Sequence, residues 1–111
     1  MKSDTTYLQH ILEMIDRIES ATAGGKGVFL TSHLHQDAVL RNLHTMTETS
    51  QRLSSELKAS NPDVEWATLV AFRNVLVHDY LGIDAEVVWT VVFQDLPVFK
   101  GKILKILKEL G

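Results

Sequence analysis

Asp84-Ala85-Glu86-Val87-Val88-Trp89-Thr90-Val91-Val92 is the stretch on which the fold class turns. Its β-branched density suits a strand. A strand, however, needs a neighbour to pair its backbone N–H and C=O groups, and no other segment of the chain reads as one. The helical reading has a start signal. Asp84 carries the short acceptor side chain of an N-cap, and Glu86 puts a negative charge in the first turn. The stretch is therefore expected to be helical, which makes the chain all-α.

Outward from there the pattern stays helical. Downstream, Pro97 punctuates the chain, and a last helix carries Ile103, Leu104, Ile106, Leu107 and Leu110. From residue 97 on there are four lysines and one acid, Glu109. These cations either complement a helix C-terminus or form a phosphate-contacting patch. Upstream, Leu81-Gly82-Ile83-Asp84 reads as a break, with Gly82 free to turn left-handed. Ser60-Asn61-Pro62-Asp63 reads as the start of another helix, with Asn61 as cap and Pro62 in the first turn. That helix runs through Trp66 and Val70, and its apolar run from Ala67 to Val77 looks buried. Residues 31–58 are expected to form one long helix, the spine of a bundle, with an apolar stripe at Leu34, Ala38 or Val39, Leu43, Met46, Ser50, Leu53 and Leu57. Residues 4–21 form an amphipathic helix with Tyr7, Ile11, Met14 or Ile15, and Ile18 on one stripe and Leu8 and Leu12 beside it. Gly24-Gly25-Lys26-Gly27 ends it in a flexible turn. No strand precedes these glycines and no Gly-Lys-Ser/Thr ending follows, so they are not a phosphate loop. The expected fold is an antiparallel bundle of four or five helices, a single domain over residues 1–111.

Composition narrows the function. At 111 residues, with 45% hydrophobic and 23% charged residues, the chain suits one globular core. It has no cysteine, which removes disulfides, thiolate-held metals and thiol catalysis. No apolar run is long enough to span a membrane, and the first residues have no signal core. A cytoplasmic protein is expected. The net charge of −3 excludes a generally basic nucleic-acid binder and leaves room only for a local patch.

The chemistry gathers in Arg73-Asn74-Val75-Leu76-Val77-His78-Asp79-Tyr80, where an arginine, an amide, an imidazole and a phenol interrupt an apolar run. Guanidinium holds a phosphate bidentately and stabilises charge that develops on it. Imidazole exchanges protons near neutrality. Five residues on an unbroken helix, however, turn by ~500°, which sets Arg73 and His78 about 140° apart around the axis. They act together only if the helix ends or distorts near Val77, or if a second protomer completes the site. A second polar stripe, His33, Asp37, Arg41, His44 and Glu48, runs along the helix of residues 31–58. It is either a solvated face stitched by i,i+4 pairs or, at Asp37, Arg41, His44 and Glu48, one wall of a cleft beside the octet. Spacing fixes no metal site; His33 and Asp37 lack a third ligand. The alternative for the octet is structural: Arg73 paired with Asp79 or Glu48, and His78 a satisfied core histidine.

The Arg-Asn-x-x-x-His-x-Tyr order resembles the signature of the HEPN superfamily, and within it the HepT-like toxins of MNT–HepT toxin–antitoxin systems. The similarity extends to Tyr7-Leu8, Asp37-Ala38-Val39, Leu53-Ser54-Ser55-Glu56-Leu57, Pro62 with Trp66, and Trp89. In Met46-Thr47-Glu48-Thr49 only Glu48 matches the Gly-Glu-Ala common in HepT relatives. The resemblance implies a HEPN-like helical bundle that dimerises, with the Arg–His motifs of both subunits facing one cleft. It implies a metal-independent endoribonuclease toxin of a type VII-like pair, with Arg73 and His78 catalytic and Asn74 supporting. It also implies a partner, an MNT-type nucleotidyltransferase antitoxin that transfers AMP to Tyr80. RNA is then the substrate; no cofactor, membrane or DNA is called for. The rival reading is a non-catalytic HEPN module that binds a nucleotidyltransferase partner or a nucleotide.

Overall fold

Asp84 caps a helix: its Oδ1 accepts the Glu86 amide at 2.8 Å. In the computed structural model, which describes residues 3–78 and 82–111, the deciding stretch is helical. It forms α6 (Ala85–Thr90) and enters a π-helical turn, Val91–Asp95, that runs directly into α7 (Leu96–Leu110). The wide turn lies where Pro97 needs it. In a regular helix the proline ring meets the carbonyl four residues back, that of Phe93, and takes a hydrogen bond from it. Pro97 therefore punctuates the helix by widening it, and the chain continues. The described residues contain no strand.

The remaining elements are α1 (Asp4–Thr22), α2 (Lys26–Thr31), α3 (His33–Gln51), α4 (Ser55–Ser60) and α5 (Trp66–His78). Contacts at the helix ends set their directions. Asp4, at the start of α1, accepts the Ser54 amide (2.9 Å) and hydroxyl (2.6 Å) just beyond the end of α3. Near the other end of α1, Glu19 pairs with Lys100 of α7 at 3.0 Å. Lys102 of α7 donates to the Asp63 carbonyl, three residues before α5 begins. Thus α1, α3, α5 and the α6–α7 rod run alternately up and down, with α2 and α4 as short links.

The core is made by α1, α3 and α7. Leu8, Ile11, Ile15 and Ile18 of α1 are fully buried against Val39 and Leu43 of α3 and Ile103 of α7. Each such side chain contributes about 1.5–3 kcal/mol through removal from water. Thr47 and Ser50 are buried on α3, and each hydroxyl donates to a carbonyl three residues back, so neither is left unpaired.

Five expectations are corrected. Residues 31–58 are not one helix. α3 stops at Gln51, and α4 starts after Ser54, whose Oγ accepts the Leu57 amide. A capping serine whose own amide and hydroxyl are held by Asp4 outweighs continuation of the helix. Leu34 lies outside the core at 83% exposure. The glycine stretch contains more than a turn: Gly25 adopts φ 93°, and α2 begins at the next residue. Asn61 does not cap α5. It ends α4, where its Nδ2 donates to the Leu57 carbonyl and its own carbonyl accepts the Trp66 indole N–H. Finally, the apolar run of α5 is mostly uncovered: within that helix only Leu76 is buried. α5 rests on α3. Its other side borders an open apolar groove of about 520 Å³, lined by Leu69, Phe72 and Val75 of α5 and by Val91, Leu96 and Phe99 opposite.

Candidate functional site

Arg73 projects from α5 onto α3. Its Nη2 and Nε donate to Glu48 Oε1 at 3.0 and 3.3 Å, and its Nη1 donates to Asn74 Oδ1 at 3.3 Å. The same Glu48 oxygen lies 3.0 Å from His44 Nε2, one helical turn back on α3. One carboxylate oxygen therefore gathers a guanidinium from one helix and an imidazole from its own. The Arg73 hydrogen bond first, and that of His44 second, hold the Glu48 carboxyl below the usual carboxylate range. The cluster is open to water: the side chains of Arg73, Glu48 and His44 are 32%, 37% and 41% exposed.

The sequence-level candidates separate into groups. Arg73, His44 and Glu48 come together. Asn74 is exposed and fixes one edge of the guanidinium. His78 is the last residue of α5 and is exposed, so it is not a core histidine. α5 is helical from Trp66 through His78, so the roughly 140° between Arg73 and His78 stands within one chain. Asp37 and Arg41 are exposed higher on the α3 stripe. Tyr80, with Asp79, lies outside the described residues. The structural partner anticipated for Arg73 is Glu48, across 25 residues of sequence. The pairing of Glu48 with Arg73 and the pairing of Glu48 with His44 are each offered by the sequence, and His44 and Glu48 are placed there on a cleft wall beside the octet; the structure joins the two pairings on one carboxylate oxygen. Of the four α7-region lysines, Lys100 and Lys102 are occupied by Glu19 and the Asp63 carbonyl, which weakens the phosphate-patch reading.

Fold and site define an all-α up-and-down bundle that carries an arginine–histidine–carboxylate cluster on its open flank. The chain belongs to the HepT-like ribonuclease family: the family model described as "Ribonuclease HepT-like" matches residues 11–106. A Thermococcus cleftensis protein named "Probable ribonuclease HepT" is 33% identical over 111 residues, covering 96% of this chain and 98% of that protein. A Methanocaldococcus jannaschii protein, named for a gamma-glutamylcyclotransferase and a candidate RNase, is 37% identical over 105 residues. That match covers 94% of this chain and 47% of the relative, about half its length. Another protein of that organism, named as a candidate RNase, is 32% identical over 98 residues and 90% covered. No solved structure matches the chain.

Proposed function

We propose that this chain is a metal-independent endoribonuclease that acts as a homodimer, the toxin of a toxin–antitoxin pair, silenced by AMP transfer to Tyr80. The observation that carries the reading is the Arg73 guanidinium. In a chain of this family it stands on an open flank, braced along one edge by Glu48, with His78 exposed at the end of the same helix. Arg73 holds the scissile phosphate and stabilises its developing charge. The ribose 2′-oxygen attacks phosphorus, and the bond to the next nucleotide's 5′-oxygen breaks. The 2′-hydroxyl proton leaves to a base and another proton reaches the 5′-oxygen, which leaves a 2′,3′-cyclic phosphate and a 5′-hydroxyl. His78 is assigned one of these proton transfers.

Two features support the dimer. Arg73 and His78 diverge around the axis of α5, so a partner's His78 completes the pair. α5 also exposes Val70 and Val77, each 40% exposed and seven residues apart on one side of the helix, an apolar patch that a second copy would cover. AMP on Tyr80 would place a bulky anion two residues from His78 and repel RNA. A cytoplasmic setting suits an RNA substrate.

One observation favours a second reading, the non-catalytic module that binds a nucleotidyltransferase or nucleotide: Glu48 already neutralises Arg73. Labelled RNA incubated with the purified chain in chelator separates the two. Cleavage by the wild type, lost in Arg73→Ala and His78→Ala, supports the ribonuclease. Intact RNA together with retained binding of the partner supports the module. Mass spectrometry after incubation with the partner and ATP should find AMP on Tyr80, and Tyr80→Phe should escape silencing; an adduct found only elsewhere refutes that assignment.

A further inference from the structure

Glu48 Oε1 receives three donors: Arg73 Nε, Arg73 Nη2 and His44 Nε2. His44 Nε2 and Arg73 Nη2 each lie 3.0 Å from that oxygen, so they are no more than 6.0 Å apart, twice 3.0 Å. The His44 ring therefore stands beside the guanidinium that would hold a phosphodiester, with its Nε2 turned to Glu48 and its Nδ1 on the other edge of the ring. His78 has no such relation to Arg73 within the chain, because the regular turn of α5 carries it around the axis. The register points the same way. α3 and α5 are antiparallel and meet at Glu48 and Arg73. Five residues further along α5, His78 is level with about residue 43 of α3 but faces about 140° away from Arg73 around the helix axis.

We propose that His44 is a further catalytic residue of this site and that Glu48 is the positioning residue for both His44 and Arg73. The proposal rests on the ribonuclease reading above. Glu48 grips Arg73 along its Nε–Nη2 edge and Asn74 Oδ1 accepts one N–H of Nη1, which leaves one further N–H on each of Nη1 and Nη2 for phosphate. It also takes the Nε2 hydrogen of His44, so Nδ1 is the nitrogen that exchanges a proton with substrate. Cleavage needs one group to accept the 2′-hydroxyl proton and another to supply one to the 5′-oxygen. His44 and His78 divide those two tasks, the proton gained by one being matched by the proton lost from the other. The charged groups around His44 are Glu48 and, three residues before it on α3, Arg41, together with Arg73 from α5.

The test uses the chain of residues 1–111. His44→Gln should lower kcat on a labelled oligoribonucleotide about tenfold or more, with a much smaller change in KM. It should also flatten one limb of the pH profile while the melting temperature holds. Glu48→Ala should lower kcat, and Glu48→Gln, which keeps an acceptor oxygen, should recover part of it. In parallel, the His44 ring resonances should move when an uncleavable 2′-O-methyl oligoribonucleotide is added to the wild type, and should not move in Arg73→Ala. If the wild type cleaves RNA and His44→Gln keeps its kcat and both pH limbs, the His44 assignment fails and the ribonuclease reading stands. If the wild type cleaves no RNA, the ribonuclease reading fails, and the resonances decide the site. Movement that depends on Arg73 supports His44 as a phosphodiester contact; unmoved resonances overturn it.

Discussion

Arg73→Lys separates a catalytic from a structural arginine, because charge survives while the fork does not. Arg73 makes two hydrogen bonds to one Glu48 oxygen and one to Asn74. An ammonium keeps an ion pair with Glu48 but has no planar pair of N–H groups for a phosphate. The stability change must be small. Both partners are about a third exposed (32% and 37%), and pairs of that kind contribute at most about 1 kcal/mol. With an unfolding entropy of ~2.1 cal/mol/K per residue over 111 residues, 1 kcal/mol moves the melting temperature by only ~4 °C. The activity change must be large: loss of one donor aimed at developing charge costs about 10²–10³ in kcat. Circular dichroism melts and steady-state cleavage of a labelled RNA by the same preparations read both quantities. Arg73→Lys activity within about threefold of wild type would refute the phosphate-fork role. A melting temperature lowered by far more than ~4 °C would mark the arginine as structural.

Val77→Asp puts a carboxylate on the exposed apolar side of α5; sedimentation should show a dimeric wild type and a monomeric variant, and a monomeric wild type would undo the dimer. Glu48 titrates below the usual carboxylate range because Arg73 and His44 bind its anion. Its stabilising contribution is therefore full above the ordinary value of about 4.3 and disappears as pH falls through the lower folded value. Urea midpoints of wild type and Glu48→Gln should differ near neutrality and converge in acid; a gap that widens in acid contradicts the pairing. Ile15 is fully buried in the core, so Ile15→Ala should cost about 2–5 kcal/mol, a fall of roughly 9–20 °C in melting temperature, and a fall of only a degree or two would show that α1 packs differently.

Local signals in the chain announce the helices, because capping and apolar spacing act over three or four residues. The Asp84 cap, the α1 stripe and the Arg-Asn-x-x-x-His-x-Tyr pattern are of this kind. Even so, the buried stripe of α1 is centred beside the one its spacing suggests: Leu8 is fully buried while Tyr7 only packs against the core. The break after α3 was harder to see. Ser54 becomes a cap only when Asp4, 50 residues away, holds its amide and hydroxyl, and no window of sequence contains that contact.

The same division holds at the site. Composition and spacing determined by themselves an all-α chain with Arg73 and Asn74 on one helix and His44 with Glu48 on another, since each set is a matter of local periodicity; that the first of these helices continues unbroken through His78 is a result of the structure. Only the tertiary structure decided that Glu48 joins the two helices, and that His44, ahead of His78, is the imidazole beside Arg73 in one chain. It also left the apolar side of α5 open to water. Hydropathy registers that a side chain is oily but carries no record of which neighbour covers it; that depends on how α3, α5 and α7 pack, and here α5 rests on α3 beside an open groove.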